Sequence, residues 1–387
     1  MKKIVFIFFQ PPTLSHEKNY YFQDLIRNKI NIEVWDITYI LFGDLKLTDE
    51  IERDYIKKID SVKDFKKCFF KENLEEIIFV ACVTFSFKSL WLYRILTKHK
   101  CTICCFDRGN LPGAIENNYR KIFRVVKKHD FKRIYEFITN RIAQFYRKIK
   151  LVKDYDFVFA AGNKAEELHK RASKVVSINS FDYDNYTQTL KNPLQLIDKR
   201  YCVFIDDMLP SHPDFSILGI KTLDPSLYYR KINKFFQNVE NKFQLEVVIA
   251  AHPKASYTNN PFGERPHYKY KTCELIKNCE FVIAHASTSI NFAVLFKKPI
   301  ILIYDNEIKD IHSDNIYLAI LSFANALGCV LCNIDDFHQI QRISLPEIDT
   351  KKYEEYKYQY LTSKVSEGRL SKNIFLDYVL QLIKTQP

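Results

Sequence analysis

Short apolar runs alternate with stretches of helical periodicity along nearly the whole chain, and this alternation restricts the fold more than any other feature. Runs that suit buried strands occur at residues 3–9, 32–37, 77–85, 102–106, 157–160 and 174–178, and again at 201–205, 245–250, 281–284, 299–303 and 328–331. Helical patterns separate them, at 19–28, 87–99, 226–238, 271–277, 288–296 and 316–326. Alternation of this kind is typical of parallel α/β structure.

The length of the chain indicates two such domains. A chain of 387 residues is too long for one ordinary core and suits two domains of roughly 150–200 residues. The polar segment 182–200 lacks clear periodicity and is predicted to link them. We therefore expect one α/β domain at 1–185 and another at 200–365. The amphipathic stretch 370–383 predicts a helix within 366–387, which in such folds can cross back to the first domain.

Charge and glycine content limit the kind of ligand site that this chain can build. The formal net charge is +12, which favours an anionic partner: a nucleotide, an anionic sugar, nucleic acid or a membrane surface. The chain has 8 glycines and contains neither GxGxxG nor GxxxxGK[ST]. A phosphate site would therefore have to use helix N-termini, hydroxyl groups and cations.

The cysteines and the N-terminal residues indicate a cytoplasmic protein. Most of the 10 cysteines lie in or beside apolar runs, where a free thiol behaves as a small hydrophobic group. The CxxC spacings at Cys101/Cys104 and Cys329/Cys332 leave zinc as the alternative, but no metal site is predicted. The apolar run 4–9 is too short for a signal peptide and indicates a first buried strand.

In parallel sheets, ligands bind beyond the carboxyl ends of the strands, so the polar residues that follow apolar runs are the candidates for a site. His252, Pro253 and Lys254 follow the run 245–250, and Pro253 ends the strand because it lacks an N–H. The imidazole and the ammonium group could both donate to a phosphate. The alternative is a strand-ending histidine that bonds to a carbonyl.

Three consecutive hydroxyl residues follow the next run. Ser287, Thr288 and Ser289 come after 281–284 and open a helical pattern, so they offer hydroxyls together with unsatisfied backbone N–H groups. An ordinary N-cap needs only one such residue. Lys271 and Thr272, in a basic loop, could join the same anion site or belong to a solvated loop.

Carboxylates follow two further strands. Asp206, Asp207, His212 and Asp214 come after the run 201–205 and could serve acid–base chemistry or bind substrate hydroxyls, with a capped, Pro-punctuated loop as the alternative.

In the first half, Asp107 ends the run 102–106 close to Gly109, and could act as a general base for an acceptor or as a nucleophile. An aspartate in a tight turn is the alternative. Gly162 and Asn163 follow the run 157–160 in the same way and are predicted to line the acceptor side.

These motifs together resemble a known family. A strand ending in His-Pro, a strand followed by Ser/Thr residues that open a helix, and then Lys-Pro before another strand resemble bacterial GT-B transferases that use CMP-activated acidic sugars. Sialyltransferases and the Kdo transferases of capsule and lipopolysaccharide synthesis belong to this group. The matching residues are His252-Pro253, Ser287-Thr288-Ser289 and Lys298-Pro299, so the resemblance covers mainly residues 200–305.

The resemblance implies two Rossmann-like α/β domains that face a cleft, the first binding the acceptor and the second the nucleotide sugar. It implies that the His-Pro and Ser/Thr motifs hold CMP. Some members carry an acidic-acidic-Gly motif with a catalytic Asp, for which Asp107-Arg108-Gly109 is the nearest match, with Arg in the second acidic position. CDP-polyol phosphotransferases are similar too, but an Asp-Tyr typically precedes their Ser pair, where His285-Ala286 stands here.

We therefore expect transfer of a nonulosonate or Kdo from a CMP donor to a bacterial surface glycan, with no cofactor and no metal. Asp107, Asp207 and His212 are the predicted catalytic residues. His252, Pro253, Lys254, Lys271, Thr272 and Ser287–Ser289 would bind the nucleotide, and Gly109, Gly162, Asn163, Asp206 and Asp214 would line the acceptor cleft. A transferase for UDP- or GDP-sugars and a non-catalytic scaffold of a glycan-assembly complex are the alternatives.

A basic segment at 120–153 concentrates the positive charge, with twelve Lys or Arg residues against two acidic ones. Its apolar residues recur with helical spacing, at Phe131, Ile134, Tyr135, Ile138, Ile142, Phe145, Tyr146 and Ile149. A basic amphipathic helix can lie on an anionic membrane, which would suit a lipid-linked glycan acceptor at the inner face of the plasma membrane. The alternative is an ordinary surface helix. No nucleic-acid-binding signature occurs, so nucleic acid is not expected as a partner.

Overall fold

The computed structural model describes residues 3–45, 50–113, 131–212, 215, 221–312, 315–345 and 347–385. Within these residues the chain forms two compact domains. The first domain holds residues 3–108, 131–179 and 365–385, and the second holds 109–113 and 180–364.

The first domain contains a seven-stranded parallel sheet whose order is β3-β2-β1-β4-β5-β6-β7. Its strands are β1 (Lys3–Phe8), β2 (Asn31–Asp36), β3 (Ile56–Lys58), β4 (Ile77–Cys82), β5 (Thr102–Asp107), β6 (Phe157–Ala161) and β7 (Lys174–Ile178). Its helices are α1 (Leu14–Asn19), α2 (Phe22–Arg27), α3 (Thr38–Phe42), α4 (Val62–Phe69), α5 (Leu90–Lys98), α6 (Phe131–Lys148) and α7 (Gly162–Leu168), with a 3₁₀ turn at Leu74–Glu76.

The second domain contains a six-stranded parallel sheet whose order is β10-β9-β8-β11-β12-β13. Its strands are β8 (Tyr201–Ile205), β9 (Glu246–Ala251), β10 (His267–Lys269), β11 (Val282–Ala284), β12 (Ile300–Tyr304) and β13 (Val330–Asn333). Its helices are α8 (Phe181–Leu190), α9 (Pro225–Phe243), α10 (Thr272–Asn278), α11 (Ile290–Leu295), α12 (Asn306–Ile311), α13 (Ile316–Leu327), α14 (Phe337–Arg342) and α15 (Thr350–Tyr356), followed by a π turn at Lys357–Leu361.

Numbered within its own domain, the second sheet has the strand order 3-2-1-4-5-6, which is the Rossmann order, and the first sheet has the same order extended by a seventh strand. The central strands are apolar along their length because helices cover both faces of each sheet. On one face of the first sheet, Phe65, Phe69 and Leu92 of α4 and α5 pack together in a single core cluster. The order reverses between β1 and β4 in the first domain and between β8 and β11 in the second.

The segment expected to be a linker is partly helical, so the prediction of 182–200 as a linker is wrong over α8. The Ser180 hydroxyl caps α8 by accepting from the Tyr183 N–H at 3.2 Å, and Tyr183 is buried in the core of the second domain. The polar face of α8 is used as well, since Asp182 accepts from the Asn291 amide at 2.7 Å. These polar contacts explain why the helix shows little periodicity in the sequence.

The two short edge strands were not predicted. β3 and β10 have three residues each and pair in parallel with β2 and β9. β10 precedes Lys271 and Thr272 in the basic loop, where the sequence predicts no strand. Neither strand contains the apolar run that marks a buried strand, because none of their residues is buried.

The C-terminal helix α16 (Ser371–Thr385) packs on the first domain, although its chain leaves the second. Phe375 and Tyr378 lie in the core cluster that contains Phe159. The Asn179 N–H donates to the Ser371 hydroxyl at 2.9 Å, which fixes the start of the helix beside the end of β7.

Candidate active site

A cavity of about 460 Å³ lies beyond the carboxyl ends of β8, β9 and β11 in the second domain, where the strand order reverses. This is the position at which open α/β sheets bind ligands, and the volume is in the range of about 300–1,000 Å³ for small-molecule sites. The cavity is lined by Asp207, Leu209, His212, Phe215, His252, Pro253, Ala286, Ser287, Thr288, Ser289, Asn315, Ile316 and Ala319.

The three hydroxyl residues lie side by side in this wall. Ser289 is the N-cap residue of α11, but its hydroxyl makes no capping hydrogen bond, so the role of an ordinary helix cap does not account for it. The Ser289 N–H donates to the Ser287 hydroxyl at 3.4 Å. Because α11 has only six residues, local hydroxyls and N–H groups would contribute more to anion binding than a helix dipole.

His252 follows β9 and faces the same cavity. Its Nδ1 accepts the Lys254 N–H at 3.1 Å, so the neutral ring carries its proton on Nε2. The His212 ring is 5.1 Å from the His252 ring, centroid to centroid. Two imidazoles therefore stand next to the hydroxyl segment, and each can donate a hydrogen bond to an anion when it is neutral or protonated.

The adjacent carboxylates Asp206 and Asp207 have different environments. Asp206 is buried, accepts the Met208 N–H at 2.9 Å and the Tyr257 hydroxyl, and does not line the cavity. Asp207 does line it, and burial raises the pKa of its carboxyl to about 7, partly offset by a hydrogen bond from Ser287. Near neutral pH, Asp207 can therefore hold or release a proton in the cavity, whereas Asp206 shapes the loop.

His285, which stands directly before Ala286 and the hydroxyl segment, is a buried structural residue. Its Nδ1 donates to the Ile303 carbonyl at 2.8 Å, so its Nε2 accepts the Tyr228 hydroxyl at 3.0 Å. Burial lowers the pKa of the imidazole to about 4, which keeps the ring neutral. The histidine thus anchors β11 to its neighbours and holds the following loop in place.

Three residues assigned to nucleotide binding from the sequence do not line the cavity. Lys254 is exposed, and the ammonium of Lys271 is 3.0 Å from Glu274. Thr272 is the first residue of α10. The last two follow β10, the edge strand, which lies two strands away from β8 and so from the point where the order reverses.

The catalytic candidate of the first domain, Asp107, is paired with a histidine. The last residue of β5 is Asp107, and its Oδ2 is 2.8 Å from Nε2 of His169, which follows α7. The next residue, Arg108, is buried and donates to the Asn179 carbonyl at 2.7 Å and to the Tyr21 hydroxyl at 2.6 Å. Arg108 thus has a structural role at the position where the resembling family has an acidic residue.

The remaining acceptor-side candidates are spread over the chain. Gly109 is exposed. Gly162 begins α7 directly after β6 with a φ of +73°, a conformation that favours glycine, and Asn163 is exposed beside it. Asp214 lies outside the described residues.

Several residues of these sites carry no clear signal in the sequence. His169 follows a helix and not a strand, so the strand-end rule did not select it. Asn315 lies at the start of α13 and accepts the Ile316 N–H at 2.7 Å. A polar residue before a long apolar helical run is a recognisable cap signal, but α13 follows another helix, and nothing in the sequence links that position to the strand ends.

Membrane-spanning helices and metal-binding clusters are both absent from the described residues. They contain no helix with the length and apolar character needed to cross a bilayer. Among the same residues, no three or more His, Cys, Asp or Glu side chains are grouped so that they could hold a metal ion.

Comparison with known proteins gives the fold. No protein-family model matches the chain, and no curated protein sequence matches it. The wall teichoic acid polymerase TagF superposes with a TM-score of 0.51 at 12% identity, covering 100% of this chain and 90% of that one. A Listeria monocytogenes protein assigned as a UDP-N-acetylglucosamine 2-epimerase superposes with a TM-score of 0.50 at 11% identity, covering 100% and 98%.

At these identities the likeness concerns the fold alone. Together with the two Rossmann-ordered sheets, it shows that the chain has two Rossmann-like domains, the fold of GT-B glycosyltransferases.

Proposed function

We propose that the protein is a glycosyltransferase whose second domain binds a CMP-activated acidic sugar. The observation that carries the proposal is the cavity at the switch point of the second sheet, where His252, His212 and the hydroxyls of Ser287–Ser289 converge. The lining contains hydrogen-bond donors and has no Lys or Arg among the described residues, so a phosphate would be held by hydroxyls and imidazoles.

The reaction requires stabilisation of the departing nucleotide. When the bond between the sugar and the phosphate breaks, negative charge grows on the phosphate of the CMP leaving group. Donors fixed in a water-poor cavity stabilise such charge strongly. His252 and Ser287 would donate to the phosphate, and Asp207, with its pKa near 7, would donate or repel according to its protonation state.

The acceptor hydroxyl must lose a proton, and we assign that role to the Asp107–His169 pair in the first domain. A carboxylate 2.8 Å from an imidazole can orient the ring and share the charge that develops on it. Sequence reasoning proposed Asp107 as the base by itself. With its partner included, the imidazole of His169 takes the proton and Asp107 stabilises the resulting cation.

CMP is favoured as the donor nucleotide by the motifs that resemble transferases of acidic sugars: His252-Pro253, Ser287–Ser289 and Lys298-Pro299. A transferase for UDP- or GDP-sugars is the alternative, because the fold alone does not select a nucleotide.

A thermal-shift panel with CMP, CDP, UDP and GDP tests this proposal. At a ligand concentration one hundred times Kd, binding stabilises the native state by about 2.7 kcal/mol. For a domain of this size that corresponds to a rise in Tm of roughly 5–10 °C. We expect the largest rise with CMP. A larger rise with UDP or GDP would contradict the acidic-sugar proposal, and no rise with any nucleotide would favour a non-catalytic scaffold.

A second candidate is a CDP-polyol phosphotransferase, because that group is similar in carrying a Ser pair between a strand and a helix, where Ser287–Ser289 stand here. Two imidazoles 5.1 Å apart would also suit phosphoryl transfer. The same panel separates the two candidates, since this one requires CDP to stabilise the protein more than CMP. Mass spectrometry of the products would then find a phosphodiester instead of a glycoside.

We also propose that α6 docks on an anionic membrane surface, where a lipid-linked acceptor would be found. Ala143 and Thr139 of α6 are buried, whereas five residues of the apolar stripe are exposed. They are Tyr135, Ile138, Ile142, Phe145 and Ile149, all more than 40% exposed. An ordinary surface helix turns its apolar stripe inward, so this orientation favours docking in the part of the chain that is described; residues 120–130 of the basic segment lie outside it.

Vesicle flotation tests the docking of α6. The triple variant Ile138→Ser, Ile142→Ser and Phe145→Ser should lose recovery with vesicles that contain anionic lipid. A control with three exposed apolar residues changed elsewhere, Leu168→Ser, Leu190→Ser and Phe337→Ser, should float like the wild type. Equal recovery of the wild type with neutral and anionic vesicles would contradict the proposal.

A further inference from the structure

The first domain contains a cavity that lies away from the strand ends, between α4 and α5 on one face of the sheet. Its volume is about 430 Å³, and it is lined by Val62, Lys66, Trp91, Arg94, Ile95, Thr97, Lys98 and Leu151. The proposed reaction uses none of these residues.

Helical spacing explains how this wall forms. Trp91, Arg94, Ile95 and Lys98 follow one another at intervals of three, one and three residues, so they share one face of α5. Val62 and Lys66 are four residues apart on α4 and share a face of that helix. Leu151, in the turn after α6, closes the cavity from the third side.

Three cations surround an apolar interior. Lys66, Arg94 and Lys98 are exposed, and Arg94 also lies 5.6 Å from the centre of the Tyr146 ring. Asp64, on α4, and Asp156, five residues after Leu151, are paired with other lysines, Lys67 and Lys153. None of the ion pairs found among the described residues includes the three cations. Their combined field would attract an anion to the edge of the cavity.

The interior of the cavity favours an apolar group. Val62, Ile95, Leu151 and the Trp91 ring supply its walls. The Trp91 indole N–H is buried and has no acceptor among the described residues, a condition that costs free energy until an acceptor is supplied. Tryptophan is enriched at membrane–water boundaries, because it combines an apolar ring with a hydrogen-bond donor.

We infer that this cavity binds one anionic membrane lipid, with the phosphate of its headgroup between Lys66, Arg94 and Lys98 and the first part of a chain against Trp91 and Leu151. A small anion alone would leave the apolar walls unfilled, and a neutral amphiphile would leave the cations without a partner. The inference goes beyond the proposed glycosyl transfer. It is compatible with the docking of α6, since Leu151 follows that helix directly, but it does not require it.

Decyl phosphate below its micelle concentration is a suitable probe, because it combines the charge with a chain and forms no bilayer. The chain contains two tryptophans, and Trp35 is completely buried, so a change in intrinsic fluorescence on titration would report on Trp91. We expect a saturable change with decyl phosphate. Decanol should bind at least tenfold more weakly, and inorganic phosphate at the same concentration should cause no change.

Charge variants complete the test. Lys66→Ala, Arg94→Ala and Lys98→Ala together should weaken decyl phosphate binding at least tenfold. The control Lys63→Ala, Lys71→Ala and Lys170→Ala removes the same charge from exposed positions of the first domain and should change the affinity less than twofold. Both variants change exposed residues, so both should fold.

Three results would each overturn the lipid site. They are that decanol binds as tightly as decyl phosphate, that inorganic phosphate binds as tightly as decyl phosphate, or that the first triple variant binds decyl phosphate with unchanged affinity. CMP-induced stabilisation is measured separately on the same proteins. A failure of the lipid site therefore leaves the nucleotide cavity of the second domain untouched, and the reverse also holds.

Discussion

Both domains place a cavity beyond the carboxyl ends of strands in sheets of the same order, but the two cavities are chemically opposite. The cavity at the strand ends of the first domain has a volume of about 330 Å³ and is distinct from the proposed lipid cavity. Its wall has carboxylates, from Asp36, Asp44, Glu50 and Asp60, with Lys58 among them. The cavity of the second domain has imidazoles and hydroxyls, and Asp207 is the one carboxylate among its described lining residues. An anionic phosphate would be repelled by the first and held by the second, whereas sugar hydroxyls could donate to the carboxylates of the first.

Topology therefore decides where a site lies, and the loops decide what it binds. The same strand order creates the opening in both domains. In the second domain, His252 follows β9 and Ser287 follows β11, the two strands on either side of β8, and both residues line one cavity. In the first domain, Asp36 accepts the Thr38 N–H at 2.9 Å and thereby fixes the turn after β2. The division of roles between the domains can be tested by changing one at a time.

The largest effect is expected from the acid–base pair of the first domain. Asp107→Asn and His169→Ala should each reduce kcat by about 10²–10⁴-fold, the usual contribution of general base catalysis. Their affinity for CMP should stay within twofold of the wild type, because the nucleotide cavity belongs to the other domain. Steady-state kinetics and calorimetry measure the two quantities, and a large loss of CMP affinity would show that the division is wrong.

Removal of one imidazole from the second domain should affect binding directly. His252→Ala should weaken CMP binding by about 10–100-fold, since a hydrogen bond to a charged group contributes about 1.5–3 kcal/mol. His267→Ala is the matched control, because that histidine is exposed on β10 and does not line the cavity. Calorimetric titration measures both, and equal losses would remove His252 from the site.

The raised pKa of Asp207 predicts that the stability of the protein depends on pH. Its pKa rises from an ordinary 3.8 to about 7 on folding, so between these values the native state binds more protons than the unfolded state. Stability therefore decreases as pH rises through this interval. Asp207→Asn removes the effect, and its Tm should exceed that of the wild type by an amount that grows from pH 4 to 7 and then stays constant.

Asp198→Asn, at an exposed position, is the control for that experiment. Thermal unfolding from pH 4 to 8 gives the required comparison. Parallel curves for Asp207→Asn and the wild type would contradict a raised pKa at this position.

The smallest effect is expected for the stability of the α6 variants. Replacing Ile138, Ile142 and Phe145 by serine should change the free energy of unfolding by less than about 0.5 kcal/mol per residue, because these side chains are exposed. The same substitutions made in a core helix would each cost several kcal/mol. Chemical denaturation would detect such a loss, which would mean that the stripe packs against the protein.

The sequence predicted most strands of the two sheets and several residues that line the cavity of the second domain. Apolar runs identified eleven of the thirteen strands in the described residues, because each of the eleven buries at least one apolar residue. The strand-end rule selected His252, Ser287 and Asp207. The sequence could not predict β3 and β10, because these two strands have no apolar run. His169 and Asn315 follow helices, and their positions depend on packing between segments distant in the chain. The exposure of the apolar residues on α6 could not be predicted either. Periodicity shows that a helix has an apolar face, but not whether this face points to the core or to solvent.

The most direct test of the nucleotide cavity is calorimetric titration of CMP into the wild type, into Ser287→Ala with Thr288→Ala, and into the control Ser256→Ala with Thr258→Ala. The control residues are exposed in the same domain, outside the cavity lining. Two hydrogen bonds to a charged phosphate are lost in the first variant, so its affinity should fall at least tenfold. The control should bind CMP as the wild type does. Equal affinity in all three proteins would contradict a phosphate site at Ser287–Ser289.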